Sequence, residues 1–245
     1  MPIRAIVFDA YGTLYDVQSV AAATERAYPG RGSLITQIWR LKQLEYSWLR
    51  ALMGRYEDFW AVTAQSLDYT LACLGLPRDA AAFDSIMDAY RHLELYPDAS
   101  AVLSGLSRYK RAILSNGSPE MLEALVANSS IAPLLDATIS VDTGKTYKPA
   151  AAVYDLIRAT LGVALSDVLF VSSNGWDVCG AKNAGLTVAW IERVDADALA
   201  SELATGPVGP LTMFKALRMR PDMLGFAADY QVRGLSELPA IVSRV

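Results

Sequence analysis

Five stretches of the chain are nearly unbroken apolar runs rich in valine and isoleucine, closed by small or polar residues: Ile3–Asp9, Arg111–Asn116, Ala137–Val141, Val168–Ser173 and Thr187–Ile191. Such runs read as strands buried on both faces of a parallel sheet. From the second onward they alternate with segments of helical period. Pro119–Ala127 has Ser118 as its N-cap and Pro119 at its first position, and Ala150–Thr160 is entered through Lys148-Pro149. The β-α alternation predicts an α/β fold, an open, doubly wound (Rossmann-like) parallel sheet. Ligands of such sheets collect at the carboxyl ends of the strands. Here those ends carry Asp9, Ser115-Asn116, Val141-Asp142 and Ser172-Ser173-Asn174, and this convergence of polar residues is the first functional signal.

Between the first and second strands lie about a hundred residues of helical periodicity, too many for an ordinary crossover. Ile38, Leu41, Leu44, Trp48 and Leu52 form a stripe along one helix, and Phe59–Leu74 and Ala80–His92 read as two more. The pattern predicts a helical cap subdomain, residues 16–96, inserted into a core made of residues 1–15 and 97–245. Its joints lie near Tyr15-Asp16 and Tyr96-Pro97-Asp98. Trp39, Trp48 and Trp60 fall in this cap beside Tyr46, Tyr56 and Phe59. That is more aromatic surface than a small helical unit needs internally, so part of it is expected to face a pocket or a partner. After residue 192 the pattern weakens. Pro207–Pro221 reads as a surface segment with a basic helix and no chemistry of its own.

The 245 residues carry 22 Lys+Arg against 26 Asp+Glu, a net charge of −4. Without a basic face, nucleic acid is excluded as an expected partner. No apolar run reaches the roughly 18 residues that span a bilayer, so no membrane association is expected. The first residues enter a strand that ends on an acid, which is unlike a signal peptide and predicts a cytoplasmic protein. Two cysteines make no disulfide framework. Cys179 has no histidine near it in sequence to activate it, and the single histidine, His92, reads as structural.

The strongest local signal is Phe8-Asp9-Ala10-Tyr11-Gly12-Thr13-Leu14. An apolar strand ends on a carboxylate, and a glycine turn follows whose backbone N–H groups can cradle an anion. A turn or capping aspartate is the plain alternative, and it weakens because Ser115, Asn116, Lys148, Ser172, Asn174 and Asp177 lie at or just past other strand ends. FDAYGTL at 8–14, LSNGS at 114–118, YKP at 147–149 and VSSNGWD at 171–177, with the cap segment 37–46, resemble the haloacid dehalogenase superfamily over almost the full length. In detail they resemble its 2-haloacid dehalogenases.

The superfamily's phosphatases use Asp-x-Asp at the first motif and further acids at the fourth to bind Mg²⁺. Tyr11 stands where the second Asp belongs, and Ser172-Ser173-Asn174 where acids are expected. Mg²⁺ needs several hard oxygen ligands, so the expectation is no metal and no cofactor, with a Mg²⁺-dependent phosphatase as the alternative. The resemblance implies hydrolysis of short L-2-haloalkanoic acids to D-2-hydroxy acids. Asp9 is the implied nucleophile at C2, forming an ester. Lys148 keeps it ionised and Thr13 orients it. Ser115 and nearby backbone N–H groups, including those after Tyr11, hold the substrate carboxylate. Arg40, Asn116 and the edge of Trp176 receive the halide, with Leu44 and Phe59 lining the pocket. Asp177 positions or deprotonates the hydrolytic water, with Ser172 and Asn174 completing its network and Tyr154 and Tyr11 adding hydrogen bonds. A helix-capping role for Asp177 is the alternative. The aromatic excess of the cap predicts a homodimer.

Overall fold

The computed structural model describes residues 2–243. Ala5–Phe8 forms β1, buried throughout, and Tyr15–Asp16 (β2) follows the glycine turn. Four helices come next: Ala21–Ala27 (α1), Gly32–Met53 (α2), Phe59–Cys73 (α3) and Ala80–Asp88 (α4). Glu94–Leu95 (β3) returns to pair antiparallel with β2, Tyr15 opposite Leu95. The helices are thus strung between the two strands of one short ribbon. Alternation then begins: Ala99–Gly105 (α5), Lys110–Ser115 (β4), Pro119–Ala127 (α6), Ala137–Ser140 (β5), Ala151–Leu161 (α7), Val168–Ser172 (β6), Gly175–Asn183 (α8) and Thr187–Ile191 (β7). Ala196–Thr205 (α9), Pro210–Ala216 (α10), Tyr230–Val232 (β8) and Leu238–Val242 (α11) close the chain.

The main sheet runs β5-β4-β1-β6-β7-β8, every pair parallel. The chain winds outward from β1 in both directions, so the crevice where strand order reverses opens at the carboxyl end of β1. Phe8 pairs with Ile113 on one side and Val171 on the other. Asp9 therefore leaves the sheet level with Ser172, with Ser115 and Asn116 slightly beyond. Ser118 caps α6 through the Met121 N–H, as its place before Pro119 predicts.

Three expectations need correction. The inward face of α2 is not the Ile38/Leu41/Leu44/Trp48/Leu52 stripe: Ile38, Leu41 and Trp48 are half-buried, and Leu52 is 84% exposed. The buried set is Ile35, Thr36, Gln37, Trp39, Arg40, Gln43, Leu44 and Ser47. This face is largely polar because its side chains hydrogen-bond to Gln18, Thr24 and Thr63 on the neighbouring parts of the insertion, so counting apolar residues alone selects the wrong side. Asp142, at the predicted strand-end cluster, turns away and accepts hydrogen bonds from Tyr56 (2.8 Å) and Lys145 (2.8 Å). The segment 207–221 is not merely surface. Helix α10 packs against α2, and the chain then crosses so close to the start of α8 that a Cβ on Gly175 would lie 2.5 Å from the Asp222 nitrogen. Among the described residues, no helix is long and apolar enough to cross a membrane.

Candidate active site

Asp9 follows β1 directly, and Gly12, at φ +88°, makes the turn that brings Thr13 back beneath it. The carboxylate is almost enclosed. Its Oδ2 accepts from Thr13 Oγ1 (3.1 Å) and Asn174 Nδ2 (2.8 Å), and its Oδ1 accepts from Lys148 Nζ (3.1 Å). Thr13 Oγ1 in turn accepts the Ser173 N–H at 2.9 Å, tying the turn after β1 to the turn after β6. Arg193, just past β7, donates to the Thr13 carbonyl at 2.7 and 3.2 Å and to Asp98 at 3.0 and 3.1 Å, with its guanidinium 3.9 Å from the Tyr96 ring centroid. The turn that follows Asp9 is thereby braced to the segment after β3.

Lys148 is 0% exposed, and its ammonium also donates to Asp177 Oδ2 at 2.9 Å. Asp177 sits in the first turn of α8. Its other oxygen accepts from Tyr154 OH at 2.6 Å. Asn174, not Asp177, occupies the N-cap position of this helix, so the capping alternative for Asp177 does not describe the molecule. Burial pushes the Asp177 carboxyl up to about 6, against the opposing pull of Lys148. Burial likewise raises the Tyr154 and Tyr11 hydroxyls, which stay protonated. One ammonium shared by two buried carboxylates leaves one negative charge in excess, and desolvated charge is costly unless compensated.

Compensation comes from two guanidiniums. Arg40, buried on α2, lies with its Cζ 6.0 Å from the Tyr11 ring centroid, and Nη1 donates to Gln43 Oε1 at 2.5 Å. Gln43 is itself held by its Nε2 donating to Thr63 Oγ1 at 2.7 Å. Arg218 arrives from the segment after α10, donates through Nη1 to Asn174 Oδ1, and stacks 4.5 Å from the Phe214 ring centroid. Loss of hydration and the like charge of Arg40 pull its guanidinium down to about 9.

Several groups at this site are buried without a hydrogen-bond partner: Arg40 Nε, Asn116 Nδ2, Trp176 Nε1 and Tyr11 OH. Buried donors are ordinarily satisfied, so a cluster of unsatisfied ones around a carboxylate marks a place prepared for an acceptor-rich ligand. Phe59, Tyr90 and Tyr11 form the aromatic wall, Tyr11 standing 6.0 Å from each of the other two rings.

Of the residues expected from sequence, the structure joins Asp9, Thr13, Lys148, Asn174, Asp177 and Tyr154 in one hydrogen-bond network. Asn116 is attached through Oδ1, which accepts the Lys148 N–H at 3.0 Å. Ser115 Oγ accepts the Gly117 N–H and Ser172 Oγ accepts the Asn174 N–H, both at 3.1 Å. Each thus shapes its own loop, and Ser172 makes no hydrogen bond to Asp177. Leu44 and Phe59 are buried, and Trp176 meets Trp48 edge-on at 5.6 Å. His92 is exposed beside Asp88, and Cys179 is buried against the backbone of the C-terminal segment. Sequence reasoning missed Arg218, Gln43 and Arg193. Thr36, Arg40, Gln43 and Ser47 recur at helical spacing on α2 and could have disclosed a polar buried face. Nothing comparable announces Arg218.

The family model for haloacid dehalogenase-like hydrolases matches residues 3–185. An (S)-2-haloacid dehalogenase of Xanthobacter autotrophicus is 58% identical over 240 residues, covering 98% of this chain and 95% of that protein. The solved structure of the L-2-haloacid dehalogenase from Xanthobacter autotrophicus superposes with a TM-score of 0.94 at 57% identity, covering 99% of each chain. A second structure of that enzyme, with chloropropionic acid covalently bound, also gives 0.94 at 57% identity over 98% of each chain.

Proposed function

This chain belongs to the haloacid dehalogenase-like hydrolases, and we propose from that membership and the site geometry that it dehalogenates short L-2-haloalkanoic acids hydrolytically, releasing halide and the D-2-hydroxy acid. The observation that carries the reading is the Asp9 carboxylate, paired with a fully buried ammonium and set among unsatisfied buried donors, with a tyrosine where a phosphatase needs its acid. A halide leaves without a proton, so no general acid is required at position 11.

In the proposed sequence an Asp9 oxygen attacks C2 and the carbon–halogen bond breaks with inversion, giving an aspartyl ester and halide. Thr13, Asn174 and Lys148 hold the carboxylate in line. Arg40 Nε, Asn116 Nδ2 and Trp176 Nε1 receive the leaving halide. The loops carrying Tyr11 and Ser115 hold the substrate carboxylate, with Leu44 and Phe59 as the apolar wall. Water then attacks the Asp9 carbonyl carbon. Asp177, steadied by Tyr154 and Lys148, takes one water proton, which returns to the departing alkoxide as the ester bond breaks, and the second, left on the Asp9 carboxyl, is released to solvent to restore the carboxylate. The raised affinity of Asp177 for protons makes it a better base near neutrality than an exposed aspartate. Ser172 acts through its loop.

The Mg²⁺-dependent phosphatase reading is weaker on two grounds. The positions that would supply ligands are Tyr11, Ser172 and Asn174, and the Lys148 ammonium already lies between the two carboxylates. The same reading treats residues 16–96 as a cap on the core, the molecule as a homodimer, and its compartment as the cytoplasm.

Halide release from L- and D-2-chloropropionate, with and without EDTA, tests this directly. The L-acid is expected to react at the same rate in EDTA and the D-acid not to react. EDTA-sensitive cleavage of a chromogenic phosphate ester, with no halide release, would establish the phosphatase instead. In a single turnover in ¹⁸O-water with enzyme in excess, the label is expected in the peptide containing Asp9; label in the product hydroxyl alone would remove the ester.

A further inference from the structure

We infer that Arg218, delivered by the C-terminal segment, is a positioning residue: its guanidinium holds the Asn174 side-chain amide in the one orientation that donates to Asp9. Asn174 Nδ2 gives its hydrogens to Asp9 Oδ2 (2.8 Å) and to the Tyr11 carbonyl (3.2 Å), while Oδ1 accepts from Arg218 Nη1. The two ends of a carboxamide are nearly the same size, so packing alone does not choose between them. A flipped Asn174 would aim its oxygen at a carboxylate and a carbonyl, both acceptors. Arginine only donates, so a guanidinium on the far side fixes the amide and polarises it, strengthening the N–H groups presented to Asp9.

The surrounding chain is built to deliver that guanidinium. Helix α10 packs on α2, which carries Arg40, and Phe214 supplies the ring on which Arg218 stacks. Immediately afterwards Asp222 approaches Gly175, the residue following Asn174, at a distance no side chain would permit. The segment thus crosses from the helical insertion to the turn after β6 and places Arg218 between them. Its loss should therefore disturb placement of the nucleophile more than capture of the substrate. The assignment rests on Asp9 as the nucleophile.

The test compares Arg218→Met, which keeps an apolar stem over Phe214 and removes every donor, with Arg218→Lys, which restores a cationic donor group. With L-2-chloropropionate, Arg218→Met is expected to lose about 10–100-fold in kcat while KM stays within about threefold, the pattern of misplaced reacting groups. Arg218→Lys should recover most of the loss. In an Asn174→Ala background the further change Arg218→Met should cost less than about twofold, because the two residues act as one unit. Independently of turnover, the Asn174 side-chain amide resonance of ¹⁵N-labelled protein, identified by its disappearance in Asn174→Ala, should move in Arg218→Met and return towards its original position in Arg218→Lys. A raised KM at unchanged kcat, multiplying losses in the double variant, or an unmoved Asn174 resonance would each overturn the inference. If Arg218→Met fails to fold, Arg218→Ala, which also lacks every donor, is judged by its Asn174 resonance: an unmoved resonance overturns the inference and a displaced one supports it. Absence of halide release by the wild type would defeat the proposed function and leave the resonance to judge the contact.

Discussion

Lys148 binds two carboxylates at once with no exposed surface, and this determines what its loss does. Lys148→Ala would leave Asp9 and Asp177 buried together without the ammonium that both contact directly, a change that costs about 3–5 kcal/mol where a buried pair is broken from one side. Thermal melts should show a clear loss of stability together with abolished halide release. Adding Asp177→Asn should recover part of the stability and none of the turnover, because it removes the repulsion but also the base. Asp177 also sets a pH dependence. Its ionised form is the one that accepts a proton from water, so activity should fall as pH drops through about 6. An exposed aspartate would hold out to about 3.9. The Tyr154 hydrogen bond lowers Asp177 against the larger effect of burial, so Tyr154→Phe should move the acid limb of ester hydrolysis to higher pH. An unmoved limb in single-turnover pH profiles would assign that limb to another group. At this scale the sequence was readable wherever chemistry stands at a strand end, as with Asp9, Asn116 and Asn174. It was unreadable where a partner comes from far along the chain: Arg218 reaches Asn174 across 44 positions from a stretch of weak periodicity.

Four of the five core strands follow from runs of valine and isoleucine because both faces of β1, β4, β6 and β7 are covered, whereas β5, at one edge of the sheet, is only partly buried. The edge strand β8 has only three residues and one partner, so it leaves no such run. Helix α2 shows the opposite failure. Its apolar residues are conspicuous, but the side that matters is the polar one carrying Arg40 and Gln43, held in place by Thr63 of α3. The turn from β6 into α8 is the element most exposed to small changes, since Asn174 and Asp177 both depend on it and Gly175 lies between them. Gly175→Ala would force a Cβ against the Asp222 backbone, and overpacking of this kind costs about 1–3 kcal/mol. For a chain of this size that corresponds to a fall in Tm of roughly 2–12 °C. Because the backbone must yield on the side that carries Arg218, halide release should drop as well. A variant with unchanged Tm and unchanged turnover would mean that the segment after α10 moves freely.

Viewed whole, the molecule is acidic outside and concentrates positive charge within, where Arg40, Lys148 and Arg218 face Asp9 and Asp177. This arrangement suits an anionic substrate. Its surface carries an additional feature. Leu49, Leu52, Met53 and Tyr69 are exposed on α2 and α3, and Leu211, Met213, Leu217 and Met223 on the C-terminal segment, with Leu52 at 84% and Met223 at 97%. Scattered apolar residues are ordinary on a monomer, but clusters on neighbouring elements are the mark of an interface. Light scattering should therefore give about twice the chain mass of 26.6 kDa at micromolar concentration. Leu52→Glu combined with Met53→Glu places two charges on each copy of that face and should convert the protein to monomer. The pair lies twelve residues beyond Arg40 on the same helix, about 18 Å away at 1.5 Å per residue. If each protomer's site is complete in itself, the monomeric variant should release halide at close to the wild-type rate per chain. A single-chain mass for the wild type would dispose of the dimer. A dimer that loses both association and turnover on this change would instead mean that the partner steadies α2, and with it Arg40.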